Sequence, residues 1–150
     1  ITQTQKKSRS IKVLVDERKK ESNMFIEKVP LIGTIAAGKP LLCEENYEGY
    51  VTLTEPFIRP GKNYFALHVR GQSMINAGIF DGDIVVVKKS STARNGQIVV
   101  AMNDNNEVTL KRFFKENGYV RLQPENDTMD PIILPTCTIL GIAIGLYREL

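Results

Sequence analysis

The sequence has two cysteines, one histidine and no tryptophan in 150 residues. Cys43 and Cys137 stand far apart and form no CxxC pair, so they imply neither a disulfide framework nor a Cys/His metal site. That usage is expected of a reducing compartment and points to the cytoplasm. Any catalytic triad built on histidine would have to use His68. No apolar run approaches the roughly 18 residues that span a bilayer. The opening ITQTQKKSRS has no apolar stretch behind its positive charges, which is not the pattern of a secretory signal. The GxxxxGK[ST], GxGxxG, HExxH and GxSxG patterns are missing, so the sequence calls for no cofactor and no metal.

What remains is one domain's worth of chain with ordinary globular composition, 42% hydrophobic and 25% charged. Its charge is unevenly placed. Residues 1–28 hold eight basic residues (Lys6, Lys7, Arg9, Lys12, Arg18, Lys19, Lys20, Lys28) against four acidic ones (Asp16, Glu17, Glu21, Glu27), for +4. The rest carries 12 basic and 13 acidic residues, or −1, which accounts for the total of +3. The signs in the leader are mixed and no aromatics interleave, which favours a solvated segment over a nucleic-acid contact. Ile11–Val15 alternates like a short strand, and Asp16–Glu27 reads as a linker.

From Val29 the pattern changes. Runs rich in Val, Ile, Tyr and Phe recur at Leu31–Ile35, Tyr50–Leu53, Tyr64–Val69, Asp83–Lys88, Gln97–Met102, Val108–Phe114, Tyr119–Leu122 and Thr138–Tyr147. Turn-forming clusters such as Asp81-Gly82-Asp83 and Glu116-Asn117-Gly118 separate them. This predicts an all-β domain, barrel-like or sandwich-like, built of short antiparallel strands. The best helical segment is short, near Ser73–Ala77. Thr138–Tyr147 reads equally as a dimer edge and as internal core.

Most polar residues have an ordinary structural reading. Asp81 and Asp83 are turn formers, and His68 sits inside a strand-like run. Two features go further. Gly71-Gln72-Ser73-Met74 is a Gly-led turn directly after a strand, where a serine is either a cap or an exposed nucleophile beside main-chain N–H groups. Lys111 lies in a strand and shares a face with Thr109 and Phe113. Together Ser73 and Lys111 suggest a Ser–Lys dyad. Serine needs a neighbouring base, and lysine serves only when neutral. Lowering its pKa from about 10.4 to about 7 costs roughly 4–5 kcal/mol, which apolar burial can impose.

At this point the sequence resembles the LexA family of self-cleaving repressors, which includes phage repressors and UmuD. The resemblance runs from Val29 to the C-terminus. It rests on the order and spacing of Val29-Pro30-Leu31-Ile32-Gly33, Ile35-Ala36-Ala37-Gly38-Lys39-Pro40, Val69-Arg70-Gly71-Gln72-Ser73-Met74, Ile79-Phe80-Asp81-Gly82-Asp83, Arg94-Asn95-Gly96-Gln97-Ile98-Val99-Val100-Ala101, Glu107-Val108-Thr109-Leu110-Lys111-Arg112 and Pro124-Glu125-Asn126. It implies Ser73 as nucleophile, Lys111 as general base and then acid, and Ala37–Gly38 as the bond cut. The oxyanion would be held by main-chain N–H groups of Ser73 and Gln72; an apolar Met is common among relatives at position 72. Small Ala36 and Ala37 suit a narrow cleft, Gly38 lets the backbone bend, and Val29–Ile35 is apolar enough to lie along the body as an added strand.

The resemblance also implies a homodimer through the C-terminal body, and stimulation by RecA filaments on single-stranded DNA. Ile1–Val15 resembles the last strands of a winged helix-turn-helix domain whose recognition helix is missing. Residues 1–28 are therefore expected to be a wing remnant and linker, and 29–150 the peptidase and dimerisation domain. Operator DNA would be met only through the missing domain. Three rivals are open: a UmuD-like polymerase accessory protein, a signal peptidase, and a non-enzymatic dimerisation module with a vestigial dyad. The wing-like leader weighs against the first, and the lack of a membrane anchor against the second.

Overall fold

The computed structural model describes residues 26–33 and 40–150. The expected strand Ile11–Val15, most of the expected linker and the expected cut site Ala37–Gly38 lie outside the described residues. Within them the chain is all-β, as the spacing of apolar runs predicts. The strands are β1 (Ile26–Ile32), β2 (Tyr47–Thr54), β3 (Tyr64–His68), β4 (Ile84–Lys89), β5 (Ile98–Met102), β6 (Val108–Lys115), β7 (Val120–Gln123), β8 (Ile132–Leu134) and β9 (Thr138–Tyr147). They form one sheet in the order β2-β1-β3-β4-β9-β5-β6-β7-β8.

Seven of the expected runs became strands within a few residues of their predicted ends. The eighth shifted: β1 starts at Ile26 rather than Leu31, so the expected boundary between residues 28 and 29 falls inside a strand. Charge at Glu27 and Lys28 hid this. The pleat explains it: Lys28 is exposed while Val29 is fully buried, and Lys28 pairs with Thr52 and Val29 with Val51. The short β8 was not expected, because Pro131 and Pro135 bracket an apolar stretch of only three residues. The helix expected at Ser73–Ala77 is a single 3-10 turn, Ile75–Ala77, closed by Gly78 in the left-handed conformation.

All pairings are antiparallel except β1 with β3, where Leu31 faces Ala66 and Ile32 faces Leu67 in parallel. This exception matters for function. In a parallel pair both C-terminal ends point the same way. The chain leaving β1 at Gly33 and the chain leaving β3 at Val69 therefore emerge side by side.

Three apolar clusters hold the sheet. One centres on Val29, Ile58, Tyr64 and Ala66. A second joins Ile32, Phe65, Val85, Val87 and Val100, with Leu41, Leu42 and Leu110 packed against it. The third, under β5, β6, β7 and β9, contains Val99, Ala101, Phe113, Leu122 and Ile139.

β9 is the sheet's hinge line. It bonds to β4 through residues 141–147 and to β5 through residues 138–142, so only Gly141 and Ile142 are paired on both sides. Residues 143–147 have one edge without a strand partner among the described residues, and Ile144, Leu146 and Tyr147 are exposed, so the pairing accommodates both the internal-strand and the dimer-edge reading of Thr138–Tyr147. Ile144 and Leu140 are the extra residues of two bulges, one against each neighbour, which bend the strand and increase its twist. Between them Gly141 faces both Lys89 and Val100. A Cβ there would overlap the Val87 side chain and sit 2.6 Å from the Lys88 carbonyl oxygen. Neither neighbour is a flexible tip, so Gly141→Ala is expected to cost about 1–3 kcal/mol, or roughly 2–4 °C per kcal/mol in thermal unfolding. An unchanged midpoint would contradict this packing.

Candidate active site

The turn after β3 is fixed at both ends before it presents Ser73. Val69 donates its N–H to the Asp83 carbonyl at 2.7 Å, and Gly82 donates to the Val69 carbonyl at 2.8 Å. Gly71 has φ +83°, a conformation that favours glycine, and its N–H donates to Asp81 Oδ1 at 2.7 Å. Asp83 accepts from the Phe80 N–H and from Arg148, both at 2.7 Å. Hydrogen bonding from Arg148, helped by the Phe80 N–H, outweighs burial and holds this carboxyl below its ordinary pKa. The two aspartates thus form turns that bond backbone, as their spacing around Gly82 suggested. Beyond Ser73, Met74 is buried and its carbonyl accepts from Ala77 and Ile79, so the chain folds back at once.

A second segment grips the same turn from outside. Glu125 donates its N–H to the Ser73 carbonyl at 2.7 Å, and Asn76 donates to the Glu125 carbonyl at 2.8 Å. Asn126 Nδ2 donates to the Gln72 carbonyl at 2.8 Å. The Glu125 carboxylate receives Arg112 Nε at 2.5 Å, and Arg112 Nη1 also reaches the Gly96 carbonyl at 2.5 Å. Arg112 follows Lys111 on β6. One residue, Glu125, therefore ties the serine turn by its backbone and the lysine strand by its side chain. Among the described residues nothing accepts a hydrogen bond from the Gln72 or Ser73 main-chain N–H.

Ser73 and Lys111, expected to meet, do so: Lys111 Nζ lies 3.0 Å from Ser73 Oγ. The same nitrogen is 2.6 Å from Thr109 Oγ1 and 3.2 Å from the Leu110 carbonyl oxygen. Lys111 is 7% exposed, and burial lowers its pKa. No carboxylate is within salt-bridge distance of it among the described residues. Three oxygens match the three N–H donors of the ammonium. In the neutral amine the Leu110 carbonyl and Thr109 Oγ1 would take the two N–H groups and the lone pair would face the Ser73 hydroxyl. Thr109 has a part here that the sequence reading did not assign. The period-2 face it shares with Lys111 was the available signal.

The pair lies in a cleft of about 210 Å³ lined by Gly33, His68, Ser73, Val108, Thr109 and Lys111 among others. His68 Nε2 is 2.7 Å from Glu48 Oε1, and His68 forms no hydrogen bond with either member of the pair. Among the described residues no three His, Cys, Asp or Glu side chains are grouped to hold a metal ion. No helix there is long and apolar enough to cross a membrane.

Comparison with known proteins now gives the class. Residues 30–144 match the model of the Peptidase S24-like family, and the chain belongs to that family. Within it, the matching relatives are LexA repressors. The chain is 57% identical to the LexA repressor of Ligilactobacillus salivarius over 123 residues, covering 82% of this chain and 59% of that one. It is 52% identical to that of Lactobacillus helveticus over 136 residues, covering 91% and 65%. For Bacillus velezensis the figures are 49% over 142 residues, covering 95% and 69%. The chain thus spans roughly six-tenths of the length of the first two relatives, and over that span it is LexA-repressor-like.

The buried amine has a consequence for stability. Its folded pKa is lowered, so the unfolded chain holds this proton to higher pH than the folded protein does. Stability should therefore rise with pH between the lowered folded value and the ordinary lysine value of about 10.4. Lys111→Met keeps the length and removes the titration, so it should flatten that rise in denaturant unfolding measured at successive pH values. Equal slopes for both proteins would show that Lys111 does not titrate in a buried state.

Proposed function

We propose that this chain is the self-cleaving portion of a LexA-like repressor of the DNA-damage (SOS) response, with Ser73 and Lys111 as a catalytic dyad acting on the chain's own Ala37–Gly38 bond. One observation carries the reading. The amine of Lys111, out of water and without a counter-ion among the described residues, is in bonding reach of a serine hydroxyl, in the cleft where the chain departs from β1. Support comes also from the parallel β1–β3 pair, which sends the segment carrying Ala37–Gly38 and the turn carrying Ser73 out at the same end of the sheet.

The chemistry runs as acyl transfer. Neutral Lys111 takes the hydroxyl proton as Ser73 Oγ bonds to the Ala37 carbonyl carbon. The resulting oxyanion is met by the main-chain N–H groups of Ser73 and Gln72. Lys111 then returns the proton to the Gly38 nitrogen, the C–N bond breaks, and an ester to Ser73 remains. Lys111 next takes a proton from water as the hydroxide adds to the ester carbonyl carbon, then returns it to Ser73 Oγ as the C–Oγ bond breaks, leaving the Ala37 carboxyl, which ionises, and the free serine. Nucleophile and substrate share one chain, so the reaction is first order and local concentration replaces affinity.

In the complete repressor this cut separates an operator-binding winged-helix domain from a dimerising body, the wing and linker reading applying to the residues ahead of β1, which starts at Ile26 and pairs within the body's sheet. Operator binding, which depends on two linked domains, then fails. A RecA filament on single-stranded DNA favours the cleavable arrangement, and the reaction takes place in the cytoplasm. The relatives' shared name, LexA repressor, supports this setting.

The test is incubation at alkaline pH. The chain should divide into two pieces, the second beginning Gly38-Lys39-Pro40, at a rate independent of protein concentration and rising with pH through the lowered pKa of Lys111. Ser73→Ala should reduce that rate by at least about a thousandfold. A wild-type chain that stays whole would support the non-enzymatic dimerisation module instead.

A further inference from the structure

The stretch that carries Ser73 closes on itself, and a side chain from the far end of the sequence holds the closure. The Val69 N–H donates to the Asp83 carbonyl at 2.7 Å, and the Gly82 N–H donates to the Val69 carbonyl at 2.8 Å. Ser73 lies inside the loop so formed, ahead of the 3-10 turn Ile75–Ala77 and Gly78. Arg148, the residue after β9, bonds to this loop at two places. Its Nε donates to Asp83 Oδ1 and its Nη2 to Asp83 Oδ2, both at 2.7 Å. Nη2 also donates to the Gly78 carbonyl at 2.7 Å. The guanidinium lies over the Phe80 ring, 4.8 Å from its centroid.

Asp83 is the one buried carboxylate among the described residues, and Arg148 is the one cation within salt-bridge distance of it there. A buried carboxylate needs such a partner, and the arginine fork fixes the orientation of the carboxylate as well as its charge. The same Oδ2 accepts the Phe80 N–H at 2.7 Å, so the fork also sets the turn between Phe80 and Asp83. Gly78 follows the serine, and Asp83 anchors Val69 ahead of it. One guanidinium therefore spans both flanks of the nucleophile's turn. The Glu125 and Asn126 ties act at Gln72, Ser73 and Asn76, on the first half of the loop. Arg148 supplies the grip on the second half, and it bonds to neither Ser73 nor Lys111.

We propose that Arg148 is a positioning residue for the nucleophile: by clamping Gly78 and Asp83 it holds the loop that aims Ser73 Oγ at the Lys111 amine. This rests on the reading of Ser73 as the nucleophile. Without the fork the Asp83 carboxylate is free to turn toward water, and the junction of Val69 with Gly82 and Asp83 loses its brace. Ser73 Oγ then spends less time within reach of the amine, so its reactivity falls. Lys111 is buried on β6, away from these contacts, and keeps its titration.

The experiment measures the rate at which a fluorophosphonate probe labels Ser73 between pH 7 and 10, by mass spectrometry of the full 150-residue chain. It compares wild type, Arg148→Gln, Arg148→Lys, Asp83→Asn and the double variant Arg148→Gln/Asp83→Asn, at a temperature where thermal unfolding shows each to be folded. Arg148→Gln should label about tenfold or more slowly, with the pH midpoint of the wild type. Arg148→Lys keeps the charge and gives up the fork, so it should recover part of the rate. The double variant should be no slower than the slower single one, because both changes break the same contact. Wild-type labelling in folded Arg148→Gln would overturn the proposal. So would single losses that multiply in the double variant, a shifted pH midpoint, or loss of the fold in both Arg148 variants, which would make Arg148 a structural residue. A wild-type chain whose Ser73 does not label at any pH overturns the functional reading itself, and this inference with it.

Discussion

A lysine amine taken out of water is the constraint around which this site is arranged. Lysine in water keeps its proton at neutral pH, and a protonated lysine cannot take another from serine. Lys111 is buried on β6 with a serine oxygen, a threonine oxygen and one carbonyl as hydrogen-bonding neighbours, and no carboxylate among the described residues stands near it to stabilise the charge. Burial lowers its pKa. That environment has to be supplied by the fold, and the sheet supplies it: Val108 and Leu110 pack on the central cluster, Phe113 on the neighbouring one, and the lysine lies on the strand between.

The sheet also sets distance. Ser73 is on a turn and Lys111 on a strand, 38 positions later, so nothing local fixes their separation. Two devices do. Glycine at position 71 and the Asp81 and Asp83 carboxylates set the turn's exit from β3, and Glu125 joins the turn to Arg112, next to the lysine. A turn held from both sides keeps its hydroxyl placed without relying on the substrate to order it, which is the condition for pre-organised catalysis.

Much of this was readable in the sequence, and the reasons differ by element. Strands such as β4 and β5 announce themselves through runs of Val and Ile, because they are buried at the sheet's centre. Charged side chains on the solvent face of β1, and prolines around the three residues of β8, concealed those strands. Thr138–Tyr147 was located to the residue, yet its apolar run could not say whether it lies at an edge or inside, since pairing partners are far away in the chain. The serine and lysine stood out through their motifs. The Glu125–Arg112 tie and the double grip of Arg148 did not, because each depends on contacts between segments that only the folded chain brings together.

The central claim is best tested by titrating one nitrogen. NMR of the Lys111 side chain, observed through its ε-carbon in a Ser73→Ala protein that lacks the proposed nucleophile and assigned by comparison with Lys111→Met, reads its pKa directly. A midpoint well below that of the other lysines is the predicted result. A Lys111 that titrates with them, near about 10.4, would contradict the account.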